Sequence, residues 1–159
     1  MNRRSPSPPL RAAGVAALLA LSTAGVAQAD TKCGPEMLNG RYVFTATGST
    51  RPSSSGPGTP WVPKAILEVI AFNGDGTLTV PSAVVANPFG DTGGILQPPP
   101  SAATSAYIVN EDCTGRLHFF DGNGVMFALY VEGPTGDTVQ LIQVSPPNNV
   151  FQGTARRVK

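Results

Sequence analysis

Residues 107–124 read YIVNEDCTGRLHFFDGNG, and this stretch predicts the fold of the whole chain. Successive side chains of an extended chain point to opposite faces, and the residue patterns of 107–111 and 116–120 fit two strands. The polar segment 112–115 between them ends in glycine, which suits a hairpin loop. A second turn follows at 121–124, where Gly and Asn tolerate positive φ. The stretch therefore predicts three consecutive strands, at 104–110, 115–120 and 125–132.

The first 29 residues have the features of a cleaved secretory leader. Three arginines flank the start of an uncharged apolar run at 12–26, and Ala27-Gln28-Ala29 then places small residues where signal peptidase reads them. The apolar run is shorter than the ~20 residues of a membrane-spanning helix, which makes an anchor the weaker alternative. We therefore expect a signal peptide at 1–29, a mature chain that begins at Asp30, and an exported protein in the periplasm or outside the cell.

The expected mature chain, residues 30–159, has the length of a single domain and a near-neutral charge. Its 130 residues suffice to bury one core. Loss of the leader removes three arginines and leaves eight basic against ten acidic side chains, a net charge of −2. Basic residues gather only in the short C-terminal end 156–159, so no nucleic-acid partner is expected.

Both cysteines of the chain, Cys33 and Cys113, lie in the expected mature part. Two thiols in an oxidising compartment normally pair. The bridge would close a loop of 81 residues. Because it reduces the entropy of the unfolded chain, such a cross-link is worth roughly 4–5 kcal/mol of stability. We therefore predict a disulfide that ties the N-terminal lead-in to the hairpin loop before strand 115–120.

The rest of the mature chain divides into short extended runs separated by turn residues. Segment 64–72, KAILEVIAF, is apolar on both faces apart from Glu68. A helix fits its composition, but Pro63 before it and the NGDG turn after it favour a strand. Two Ser/Pro/Gly-rich segments, 49–63 and 87–103, are expected to be flexible loops. The eight predicted strands are 40–48, 64–72, 77–80, 104–110, 115–120, 125–132, 137–144 and 150–158.

This strand list predicts an all-β fold. Eight antiparallel strands in about 120 residues close into an up-and-down barrel or split into a β-sandwich. The barrel is favoured because nearly every connection is a tight turn between sequence neighbours, and because closure removes edge strands. The runs are shorter than the ~10-residue alternating strands of outer-membrane barrels, so a soluble barrel is expected. Such a barrel is either filled by side chains or holds one small ligand.

Four segments of the chain resemble a group of small exported bacterial proteins of unknown function. They are LNGRYVF at 38–44, FNGDGTLT at 72–79, YIVNEDCTG at 107–115 and GTAR at 153–156. The group is similar to lipocalin-like (calycin) barrels and to allene-oxide-cyclase-type barrels, and the residues do not decide between the two. Tyr42 stands where the lipocalin signature Gly-x-Trp has its tryptophan. The resemblance implies a barrel fold and carries no catalytic residue over.

No motif of the chain indicates catalytic or metal chemistry, and no cofactor is expected. His118 is the only histidine, which excludes a multi-histidine metal site. The turns NGDG and DGNG contain Asp and Asn, but they lack the ligand spacing of calcium loops. The residues therefore indicate architecture more clearly than function.

Three functions are compatible with this barrel. The first and favoured one is a binding module for a small apolar ligand, with Trp61, Phe89 and Glu68 as candidate binding residues. The second is a protein-interaction or inhibitor module in the cell envelope, which would use the loops 49–63 and 87–103. The third and least favoured is a cyclase- or isomerase-type barrel enzyme, with Glu68 or His118 as its acid/base.

Overall fold

A computed structural model describes residues 32–52, 56, 58–87, 94–99, 101–119 and 124–159, with the backbone alone at 101–104. Within these ranges a 3-10 helix at Pro35–Met37 precedes nine strands. The strands are β1 (Asn39–Thr50), β2 (Val62–Asn73), β3 (Thr77–Ala86), β4 (Ile95–Leu96), β5 (Ser101–Val109), β6 (Thr114–Phe119), β7 (Val125–Glu132), β8 (Thr138–Ser145) and β9 (Asn149–Arg157). No helix in the same ranges has the length and hydropathy needed to cross a bilayer. The predicted leader 1–29 lies outside the described residues.

Eight of the strands form one closed antiparallel ring. β1 pairs with β2, β2 with β3, and β3 with β5. The strands β5 to β9 then follow in chain order, and β9 pairs back with β1. The two-residue strand β4 stands outside the ring and pairs with the far end of β3. The predicted eight-stranded up-and-down barrel is confirmed, and segment 64–72 is a strand rather than a helix.

Strand β3 is longer than predicted because it passes through a proline. The prediction ended the strand at Val80, since Pro81 has no N–H to donate to a ladder. The register between β2 and β3 shifts between Val69 and Ala71, so that Val80 and Pro81 together lie opposite Ile70. Two residues opposite one make a β-bulge, which is one of the few places where a strand accepts proline.

The two long connections are shorter than the predicted loops. β1 extends to Thr50 and β2 begins at Val62, so strand residues occupy both ends of 49–63. Strand β4 and the first residues of β5 lie within 87–103. These residues pair with strand neighbours instead of remaining free, because the ladders of the barrel continue beyond the apolar runs that the sequence shows.

The centre of the barrel is packed with aromatic side chains. Alternate residues of each strand face inward, as in β1, where Phe44 and Ala46 are buried. The Phe127 ring makes edge-on contacts with Phe44, Phe119 and Phe151, at centroid distances of 5.7, 5.8 and 5.4 Å. Edge-on pairs at such distances stabilise a core beyond their buried area. The middle of the interior is therefore filled by this cluster.

The predicted disulfide between Cys33 and Cys113 is confirmed, with 5.0 Å between the Cα atoms. The bridge holds the N-terminal lead-in against one end of the barrel. Leu38 of the lead-in is fully buried there. The Tyr107 hydroxyl lies between the carbonyl oxygens of Pro35 and Leu38, at 2.8 and 2.9 Å, and shares its one hydrogen between them. The lead-in is thus part of the core rather than a free tail.

Candidate functional site

The two ends of the barrel differ in what covers them. Successive connections of an up-and-down barrel alternate between its ends. The turns 74–76, 110–113 and 133–137 lie at the same end as the lead-in, which we call the closed end. The connections 51–61, 87–100, 120–124 and 146–148 belong to the opposite end, which we call the loop end.

A polar network seals the closed end around Tyr42. The Tyr42 hydroxyl donates to the Gly136 carbonyl at 2.7 Å and accepts from Nη2 of Arg157 at 2.8 Å. The same Arg157 nitrogen donates to the carbonyl of Met37 in the lead-in at 2.7 Å, and Arg157 Nε lies 3.4 Å from Asp137. Burial raises the pKa of Tyr42, and the hydrogen bond from Arg157 opposes part of that rise. These groups satisfy one another's hydrogen-bonding capacity, so they are occupied within the fold.

An inward-facing lysine lies at the loop end. Lys64 on β2 is in register with Gly48 on β1, and Gly48 is in register with Phe151 on β9. Because Gly48 has no side chain, the Lys64 side chain extends across it. Its Nζ lies 5.4 Å from the Phe151 ring centroid and donates to Oδ1 of Asn149 at 3.1 Å. A cation over an aromatic face is attracted by the ring, so a positive charge and an apolar surface lie together here.

Gln143 on β8 adds a buried amide to the same end. Its side chain is only 7% exposed, and it is in register with Phe127 of the aromatic cluster. The Nε2 atom donates to the Ser145 carbonyl at 2.8 Å. The Oε1 atom is buried and accepts no hydrogen bond from any residue that the structure describes. Such an acceptor costs about 1–3 kcal/mol, and a ligand that brings a hydroxyl or N–H group would offset this cost.

Glu68, a predicted binding residue, faces the barrel interior. Its register partners, Phe44 on β1 and Ala83 on β3, are both buried. Its own side chain is half-buried. It lies on the same face of β2 as Lys64 and four residues further along, roughly 13 Å at the rise of a strand. Glu68 therefore continues the polar lining from the loop end toward the centre.

Trp61, the second predicted binding residue, lies just before β2 at the loop end and is 42% exposed. The Arg51 guanidinium carbon lies 4.8 Å from the centroid of the Trp61 ring. Arg51 is itself fixed to the 146–148 connection, since its N–H donates to the Asn148 carbonyl and its carbonyl accepts from the Asn148 amide, both at 3.0 Å. Phe89, the third predicted binding residue, lies outside the described residues.

His118 faces away from the interior. Its neighbours Leu117 and Phe119 are buried on the inner face of β6, so the imidazole lies on the outer face and is half-buried there. Glu68 and His118, the two proposed acid/base groups, thus lie on opposite sides of the barrel wall. Within the described ranges, no group of three or more His, Cys, Asp or Glu side chains lies close enough to hold a metal ion.

A concave feature lies on the outer surface of the barrel, across β7, β8, β9 and β1. It is an open groove of about 620 Å³, and none of its described lining residues is charged. The sequence analysis missed this groove, and it also missed Lys64 and Gln143. Lys64 lies on the same face of β2 as Phe72, but the strand is apolar on both faces, so the sequence alone does not show that this face is the inner one. The groove depends on the register of four strands, which no single stretch of sequence shows.

Comparison with known proteins adds no family to this description. No protein-family model and no curated protein matches the chain. The closed ring is compatible with a calycin-like barrel. Function must therefore be inferred from the geometry of the chain's own residues.

Proposed function

We propose that the protein is an exported β-barrel that binds a small ligand at its loop end. The observation that carries the proposal is the placement of two inward polar groups, Lys64 and Gln143, on either side of Phe151. The last register pair of β8 and β9 is Ile142 with Gln152, and the next residues toward the loop end are Gln143 and Phe151. The Phe151 ring therefore has a cationic donor toward one side and a buried acceptor toward the other.

These groups favour a ligand with an apolar body and a polar head. Phe151 and Phe127, whose ring centroids lie 5.4 Å apart, are both buried, so a ligand reaches their faces only by displacing side chains at the loop end. Covering the Lys64 ammonium with purely apolar matter would strip it of water, which is costly. A donor group on the ligand would instead satisfy Oε1 of Gln143. The ligand class we favour is accordingly a small amphipathic molecule rather than a pure hydrocarbon.

Trp61 lies just before β2 at the loop end and is the aromatic side chain that would contact the ligand there. A contact from Phe89 stays a prediction. Binding residues are often carried by loops on a rigid scaffold, and a barrel is such a scaffold. Glu68 lies beyond Lys64 in register with Phe44 of the packed aromatic cluster, so the ligand we propose stays on the Lys64 side of it.

Export is supported by two features of the chain. The segment 1–29 has the charge and apolar pattern of a leader, and the Cys33–Cys113 bridge needs an oxidising compartment to persist. Measuring the mass of the mature protein after expression in a bacterial host tests this part. A chain that begins at Asp30 and lacks two hydrogens at its cysteines is the expected result.

The ligand proposal is tested by fluorescence of Trp61, the only tryptophan of the chain. Purified residues 30–159 are titrated with fatty acids, fatty alcohols and aromatic alcohols, and Trp61 emission and thermal stability are followed. Saturable emission changes with stabilisation are expected for an amphipathic class. The variants Lys64→Met and Gln143→Leu should each weaken binding roughly tenfold, about 1.4 kcal/mol.

The matched control is Val150→Ala, which changes the outward-facing neighbour of Phe151 on β9. Its side chain is exposed on the outer surface, so binding should be unchanged. If no ligand class alters Trp61 emission or stability, the proposed function is wrong. Binding that is unchanged in both inner variants would show that the ligand does not bind at the loop end.

A second candidate function, a protein-interaction module of the cell envelope, is favoured by the outer surface near the loop end. Val144 on β8 and Val150 on β9 are 54% and 56% exposed. A partner that covered these two side chains would remove their apolar surface from water. Cross-linking in envelope extracts would test it, and loss of a defined partner with Val150→Ser but not with Gln143→Leu is the expected result.

A further inference from the structure

The groove on the outer surface is a second candidate binding site, separate from the loop end by the thickness of the barrel wall. It runs over β7, β8, β9 and β1, and its volume of about 620 Å³ falls within the roughly 300–1,000 Å³ of small-molecule sites. Its side chains face outward, whereas those of the loop-end site face inward. A ligand in the groove and a ligand at the loop end would therefore contact different residues.

A row of inward-facing residues lies beneath the groove. Ala46, Gly153, Leu141 and Leu129 face inward and lie in register on β1, β9, β8 and β7. Gly153 has no side chain, and a Cβ there would lie only 2.6 Å from Cβ of Ala46, and closer still to the Thr45 carbonyl oxygen. The absent side chain at Gly153 therefore allows β1 and β9 to approach closely beneath the groove.

The lining is uncharged and combines apolar side chains, among them Ala128 and the exposed Ile142, with hydrogen-bonding ones. Thr154 Oγ1 donates to Oε1 of Gln140 at 3.0 Å, and Nε2 of Gln140 donates to Glu132 at 2.8 Å. These bonds fix the Gln140 amide, which keeps a second lone pair and a second N–H for a ligand. The exposed amide of Gln152 lies on the neighbouring strand. An array of oriented amides and hydroxyls without charge matches a ligand that carries many hydroxyl groups.

Tyr130 supplies an aromatic surface beside these polar groups. It lies on β7 in register with Gln140, and its side chain is 50% exposed. A ring of this kind offers an apolar face and a phenolic hydroxyl at its tip. The C–H face of a sugar ring fits the former, and its hydroxyl groups fit the latter.

We propose that this groove binds a neutral oligosaccharide. The uncharged lining favours a neutral ligand over an acidic one, because no described cationic side chain lines the groove to pair with carboxylates or sulfates. Hydroxyl groups of the sugar would bond to Gln140, Gln152 and Thr154, while Tyr130 covers one ring face. The open shape suits a chain that continues past both ends of the groove.

Affinity electrophoresis tests the proposal with the mature protein. The protein is run through native gels that contain hydroxyethylcellulose, dextran or, as the charged comparison, alginate, and chitohexaose is titrated by calorimetry. Retardation by at least one neutral polymer and none by alginate is expected. The variants Tyr130→Ala and Gln152→Ala should each weaken binding at least about tenfold. Ile108→Ala, an exposed apolar residue on the outer face of β5, is the matched control and should leave binding unchanged.

Circular dichroism and thermal unfolding show whether each variant keeps its fold. If one of the two variants does not fold, the other still tests the proposal. Equal migration in all gels together with no calorimetric binding tighter than about 1 mM would overturn the proposal. So would retardation by alginate alone, or binding that survives both variants. A dimer that forms through this face and dissociates with Tyr130→Ala would assign the groove to a second copy of the chain instead.

Discussion

Cys113 occupies in its hairpin turn the position that Gly76 occupies in the turn between β2 and β3. Both have positive φ, 67° for the cysteine and 91° for the glycine. The two turns share the pattern Asn-x-Asp-x-Thr, NGDGT at 73–77 and NEDCT at 110–114. In each, the Asp carboxylate accepts from the N–H and hydroxyl of the Thr, and the Asn amide donates to that hydroxyl. The cysteine therefore adopts a backbone conformation that favours glycine, and its bridge to Cys33 holds it there.

Loss of the bridge should cost least when position 113 becomes glycine. The pair Cys33→Ala/Cys113→Gly loses a cross-link worth roughly 4–5 kcal/mol on the chain-entropy model but relieves the left-handed backbone. The pair Cys33→Ala/Cys113→Ala loses the cross-link and keeps the strain. We expect the glycine pair to be more stable by about 1 kcal/mol, as measured by urea unfolding. Equal stability of the two pairs would contradict the strain argument.

The paired turns also predict a response to acid. Hydrogen bonds from Thr77 hold the pKa of Asp75 below its ordinary value, and those from Thr114 do the same for Asp112. A carboxyl group with a lowered pKa in the folded state stabilises the fold above its unfolded pKa of about 4. That contribution is lost as the pH falls through the folded-state pKa.

The variants Asp75→Asn and Asp112→Asn should therefore have free energies of unfolding that fall less than the wild type's between about pH 4 and pH 2. Asparagine keeps an acceptor but has no charge to lose, so stability at neutral pH should decrease slightly. Urea unfolding at a series of pH values gives the measurement. Parallel pH curves for wild type and both variants would show that the turns do not contribute in this way.

Tyr107 should make the stability of the fold depend on pH at the alkaline end, whereas the two Asp residues act at the acidic end. Burial raises the pKa of its phenol above the ordinary value. A group with a raised folded-state pKa contributes stability that is complete below about pH 10 and is lost as the pH rises through the folded-state pKa. Tyr107→Phe should lose about 1–3 kcal/mol at neutral pH, because the carbonyls of Pro35 and Leu38 lose their donor. Its stability should then fall less than that of the wild type above about pH 10, and Tyr130→Phe on the outer surface is the control.

The inward glycines Gly48 and Gly153 should not tolerate a side chain. A Cβ on either one would overlap a backbone carbonyl of the neighbouring strand, which a rotamer change does not relieve. We expect Gly48→Ala and Gly153→Ala each to lower the free energy of unfolding by about 1–3 kcal/mol. Gly56→Ala, where a Cβ meets nothing within 4 Å, should change it by less than about 0.5 kcal/mol. A stable Gly153→Ala variant would show that β1 and β9 have room to separate.

The barrel and its disulfide were predictable because local patterns signal both. Alternation in β1 and the hairpin turns after Phe72 and Val109 are short-range features, and an up-and-down ring needs little else. The cysteine pair followed from the expected compartment, since the chain has no third cysteine that would leave a choice of partners.

The unpredicted features depend on contacts between distant segments. Pro81 is accepted in β3 because Ile70 on β2 stands opposite a bulge, and nothing in the residues around the proline signals that. Glu68 faces inward, but its strand is apolar on both faces, so the pattern does not decide its direction. The outer groove needs the relative register of β7, β8, β9 and β1, which no single strand contains.

The seam of the ring joins the first strand of the chain to the last. Phe44 on β1 is in register with Ala155 on β9, and β9 lies between β1 and β8. During synthesis β1 and β8 each present an unmatched edge until the C-terminal residues emerge, since pairing so distant in sequence forms late. No closed ring exists before that moment. A ribosome must therefore release β9 before the barrel has a continuous wall, and every earlier intermediate is an open sheet.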